Sequence, residues 1–171
     1  MNEAAQFAAR TIVDRARENG YLDGALSCIP ELAEEEKKLF IRMFGELKRH
    51  LTEAGRAELS PDEVSSLFTF MLAKAAELVV FHLAGKQEEV SLLGMFDGKI
   101  PLYADDRVLG FCRSCTWPRE AAEAFLAMPP AADDEDDPAD PLLVLFEALK
   151  WSFRISAHLV IGFLEDSQAP A

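Results

Sequence analysis

Residues 54–68, "AGRAELSPDEVSSLF", carry the boundary on which the fold turns. Gly55 is a helix stop, and Ser60-Pro61-Asp62-Glu63 is a helix start. Ser60 can accept from an otherwise unpaired backbone N–H, and Pro61 suits the first helical position, where no N–H is needed. Glu63 stands where a capping box puts its carboxylate. Two helices therefore meet here across a short connection, and the second should run antiparallel to the first.

On the N-terminal side the periodicity is clear from Glu31 to about Ala54. At 100° per residue, Leu32, Leu39, Phe40, Met43, Phe44, Leu47 and Leu51 share one face. Glu34, Lys38, Arg42 and Arg49 fall largely on the other. Further back, residues 3–18 form an amphipathic helix that Asn19-Gly20 ends. On the C-terminal side the helix that starts at Pro61 runs to about Leu83.

Between 86 and 116 the helical signal weakens. Two short runs, Ile100–Tyr103 and Val108–Cys112, flank the polar turn Ala104–Arg107 and read as a small β-hairpin within 98–116. Pro101 is tolerable on a short edge strand. Thr116 is placed to cap a helix over 117–127. The stretch 129–140, with its prolines and clustered acids, reads as an exposed loop. The last helix, about 141–165, is the most apolar. The expected fold is mainly α: a single domain over 1–171, a bundle of about four to five helices with a small inserted β-hairpin.

Composition excludes several function classes. The chain has 171 residues, half of them hydrophobic, and a formal net charge of −13. Nucleic acids and anionic membrane surfaces need clustered Lys and Arg, so neither is an expected partner. Charged residues interrupt both apolar stretches, 64–84 and 142–164, and no signal-peptide pattern opens the chain. Three cysteines, an odd number, suit a reducing compartment, and a cytoplasmic location is expected.

Cys112 and Cys115 are the sharpest chemical signal. Structural zinc normally takes four ligands, and here one Cys pair stands alone, with Cys28 and the three histidines scattered. Two chains could assemble a four-thiolate zinc site between subunits. A redox pair would want a strand before it and a helix after it within a βαβ unit, of which only part is present. The bland reading is two small residues of a packed hairpin. His50 and His82 fall at opposite ends of a helix pair, on the order of 25–30 Å apart, and cannot share a metal ion. The acidic run from Asp133 would need Gly sixth and an acid twelfth to hold calcium as an EF-hand; those positions are Pro138 and Val144. No G-x-S-x-G, P-loop or G-x-G-x-x-G pattern occurs.

In the last helix Glu147, Lys150, Arg154 and His158 span an arc of about 80°. That stripe faces solvent or carries a Glu147–Arg154 link through Lys150, or else lines a pocket between helices where Arg154 and His158 bind an anionic ligand. Helices 61–84 and 141–165 are apolar around most of their circumference. Enclosing both would take more covering partners than the rest of the chain supplies, so a contiguous apolar patch is expected. The expected function is non-enzymatic, through protein–protein contacts as a homodimer, with no cofactor. The alternative is a small helical enzyme or sensor that uses Cys112 and Cys115 as a thiol switch or shared metal site.

Overall fold

A computed structural model describes residues 3–21, 34–83, 106–128 and 140–168. They form α1 (Glu3–Glu18), α2 (Glu34–Glu53), α3 (Pro61–Leu83), α4 (Asp106–Ser114), α5 (Trp117–Leu126) and α6 (Pro141–Gln168).

The helix ends follow local rules. Glu63 N–H donates to Ser60 Oγ at 3.2 Å, and Ser60 N–H returns a bond to Glu63 Oε2 at 2.7 Å. The reciprocal capping box is therefore formed. Gly20 and Gly55 both adopt positive φ, at 75° and 67°. At each, the next N–H reaches back five residues, Tyr21 to Ala16 C=O and Arg56 to Leu51 C=O, both at 2.9 Å. That is the Schellman ending, for which glycine carries no Cβ penalty. Ser60→Ala is expected to cost about 0.5–2 kcal/mol with the fold retained, read from thermal unfolding.

α6 is the axis of the bundle and packs against each of the other described helices. Its apolar circumference is the reason: a helix with no wide polar face buries area only when neighbours surround it. Early turns of α3 (Val64, Phe68) share a core cluster with early turns of α6 (Leu145, Leu149), and late turns (Val79, Val80) share another with Val160 and Leu164. α3 and α6 therefore run in the same direction. α2 runs the opposite way along α6. Phe40 meets Phe153 and Phe146 edge-on, Phe44 meets Phe146, and Lys48 pairs with Asp140 near the start of α6.

Three expectations need correction. First, residues 108–112 are not a strand but lie inside α4, and the described residues hold no strand. Val108, Phe111, Cys112 and Cys115 recur at helical spacing and pack on the cluster of Leu72, Ala76, Val79, Val80 and Val160. A short apolar run cannot by itself separate the two periods. The first expected strand, Ile100–Tyr103, and the loop 129–139 lie outside the described residues. Second, Thr116 precedes α5 but makes no side-chain capping bond. Its hydroxyl is engaged by Tyr21 instead. Third, the apolar surplus of α3 and α6 is largely enclosed. Large exposed hydrophobics among the described residues are Phe7, Ile41, Leu126 and Ile161, and only Ile161, 38 % exposed, belongs to either helix.

Candidate functional site

α2 and α3 run in opposite senses, as the short connection implies, yet the close partner of α2 is α6 and not α3. A groove of about 350 Å³ opens between them. Met43 and Leu47 of α2 and Leu67 and Phe70 of α3 line its apolar part. Glu46, Arg49, His50 and Glu53 form a rim of mixed sign. Arg49 pairs with Glu46 at 2.5 Å.

At the end of the groove the helix connection is clamped. Arg56 holds Glu63 by two bonds, 2.6 Å and 3.0 Å, and its guanidinium lies 3.3 Å from His50 Nε2. Arg56 and the Ser60 N–H hold the Glu63 carboxyl down at about 2, from 4.5. A depressed carboxylate contributes stability above its unfolded value and loses it as pH falls through the folded one. Acid unfolding should therefore steepen between about 4.5 and 2, and Glu63→Gln should flatten that limb in a pH titration of the unfolding midpoint. The groove thus offers apolar surface flanked by charged side chains.

The polar stripe of α6 divides. Lys150 Nζ sits 3.1 Å from buried Glu147, while Arg154 lies over the Trp151 ring at 4.5 Å. Lys150 thus serves Glu147, and the indole face takes Arg154. His158 is half-buried, and desolvation, then the Arg154 charge, pushes its pKa down. A neutral imidazole attracts anions poorly. Neither Arg154 nor His158 lines the α2–α3 groove.

Cys112 lies in the last turn of α4 and Cys115 just past it, both half-buried free thiols. Burial raises both thiol pKa values, although the Trp117 N–H partly offsets this at Cys115. No group of three or more His, Cys, Asp or Glu among the described residues is placed to hold a metal ion. Cys28 lies outside them.

One cluster was not legible in the sequence. Tyr21 Oη donates to Glu120 Oε2 at 2.5 Å and lies 2.8 Å from Thr116 Oγ1, tying the end of α1 to the start of α5. Its ring meets buried Trp117 edge-on, with centroids 5.4 Å apart. The Asn19-Gly20 stop places Tyr21 at a helix end, but nothing local names a partner nearly a hundred residues away.

No helix among the described residues is long and apolar enough to cross a membrane. Compared with protein-family models, curated proteins and solved structures, the chain matches none.

Proposed function

We infer that this protein acts without catalysis, through protein–protein contacts in the cytoplasm, as a homodimer joined at the groove between α2 and α3. The observation that carries this reading is the open apolar floor. Although most of α3 is enclosed, α2 leaves Leu67 and Phe70 only half-buried because it leans on α6. Grooves of this kind take the apolar face of a helix.

Charge favours a second copy as the occupant. Two chains at −13 repel, so their contact needs a surface that is locally balanced. The rim combines Glu46 and Glu53 with Arg49 and His50. In an antiparallel crossing of two α2 helices centred near Leu47, Glu46 of each copy faces Arg49 and His50 of the other. A two-fold contact is self-complementary in this way.

Light scattering at micromolar concentration is expected to give twice the 19.0 kDa chain mass. A stable contact of this kind buries at least about 1,000 Å² in total. Leu67→Glu places a charge in the floor and should give a monomer of unchanged helical content. A monomeric wild type, or a Leu67→Glu variant that remains dimeric, would overturn the reading.

A further inference from the structure

We propose that Cys112 and Cys115 form a dithiol that closes reversibly to an intrachain disulfide, a redox modification site at the junction of α4 and α5.

The geometry rests on helical spacing. The Cys115 N–H donates to Phe111 C=O at 2.8 Å, a four-residue return that continues the helix beyond Ser114. Residues three apart on such a turn have Cα atoms about 5 Å apart. Disulfides span roughly 4.4–6.8 Å between Cα atoms and about 3.5–4.5 Å between Cβ atoms, whereas Cβ atoms one helical turn apart are about 5–6 Å apart, so the pair closes by a small shift of Cys115 at the end of α4. Both thiols pack on the cluster formed by α3 and α6, and both remain half-exposed, within reach of a small disulfide in solution. The Phe111 and Phe163 rings, stacked at 4.6 Å, hold the same turn of α4 against α6.

Metal binding is the poorer use of these two groups. Two thiols supply half of a tetrahedral set, and a metal needs thiolates, which burial disfavours here. Exchange with a disulfide needs only a transient thiolate. One cysteine thiolate attacks the S–S bond of the reagent, forming a mixed disulfide and releasing one small thiolate. The second cysteine thiolate attacks the protein sulfur of that mixed disulfide, closing the bond and releasing the other small thiolate. Two protein thiols are oxidised, one disulfide is reduced to two thiols, and the two protons leave with them.

Closure of so short a ring removes little chain entropy from the unfolded state, so the bond is a weak stabiliser and is readily reduced. Its structural reach is local. Cys115 adjoins Thr116, whose hydroxyl meets Tyr21 Oη, and Trp117 stacks edge-on against the same tyrosine. Drawing Cys115 toward Cys112 therefore acts on the link between α1 and α5, and Trp117 fluorescence reports it.

The test uses the full chain carrying Cys28→Ser, treated with oxidised glutathione at mildly alkaline pH, then alkylated and analysed by intact mass and peptide mapping. The expected product has lost two hydrogens and both free thiols, retains no glutathione, and yields a peptide with Cys112 bonded to Cys115. Dithiothreitol should restore both thiols, and Cys112→Ser in the same background should instead keep one glutathione on Cys115. If Cys28→Ser does not fold, the same map of the wild-type chain must contain the Cys112–Cys115 bond. Glutathione retained on each thiol, thiols that stay free, or a bond between two chains would overturn the proposal.

Discussion

Phe153→Ala is expected to lower stability by about 3–5 kcal/mol, the usual cost of truncating a buried phenylalanine. Phe153 is 2 % exposed and meets Phe40 edge-on, with ring centroids 5.5 Å apart and planes at 88°. It is therefore both a core side chain of α6 and the seat on which α2 rests. Domains are stable by only about 5–15 kcal/mol, so the loss is a large share of the total. For a chain of this length the thermal midpoint should fall by about 10–15 °C. Urea unfolding followed by helical circular dichroism gives the value directly, and Phe153→Leu, which keeps more of the volume, should cost less. A change below about 1 kcal/mol would mean that α2 does not rest on this residue. Because α2 also walls the groove, the alanine variant should also weaken the self-association proposed for that surface.

Removing Glu77 should be nearly as damaging, for a different reason. Lys74 and Glu77 are one turn apart on α3, both buried, with Nζ and Oε2 3.0 Å apart. Lys74 also lies over the Phe70 ring at 5.3 Å. Glu77→Ala strips a carboxylate from a buried ammonium, and breaking such a pair from one side costs about 3–5 kcal/mol. The Phe70 ring and the remaining surroundings of Lys74 favour the lower end of that range. Lys74→Met combined with Glu77→Leu removes both desolvated charges and should recover most of the loss. Chemical denaturation of the single and double variants separates the two cases. A double variant no more stable than Glu77→Ala would show that the pair itself, and not the cost of burying the Lys74 charge, carries the stability.

Much of the candidate site was visible in the sequence only as separate parts. The face of Met43 and Leu47 follows from the period of α2, and Leu67 and Phe70 belong to the apolar set of α3. That these residues line one groove depends on α2 choosing α6 over α3. Periodicity says which face of a helix must be buried and is silent about the partner that buries it. The aromatic set decides this: Phe146 and Phe153 offer edge-on contacts to Phe40 and Phe44, and those contacts draw α2 across. Arg154 and His158, read either as part of a solvent-facing or linked stripe or as the lining of an anionic-ligand pocket, are a different case. Their shared stripe was legible, but the Trp151 face that takes Arg154 and the desolvation of His158 are properties of the packed state.

By itself the sequence determined the helices that local chemistry can start and stop. Ser60 and Glu63 bond only across one turn, and Gly20 and Gly55 end helices through their own backbone freedom, so no distant residue was needed to place those boundaries. It also determined that the last helix must be surrounded, because a segment apolar on nearly every side has no face to give to water. Tertiary structure alone decided the state of residues 108–112. Val108, Leu109, Gly110, Phe111 and Cys112 satisfy either period over so short a run, and the helix prevails because it lays Val108, Phe111 and Cys112 together on the cluster of α3 and α6. The same holds for the Tyr21–Thr116–Glu120 link and for the groove. The link joins residues about a hundred positions apart, and the groove depends on α2 packing on the distant α6; the free energy that selects them, burial shared between two surfaces, belongs to the pair and to neither segment alone.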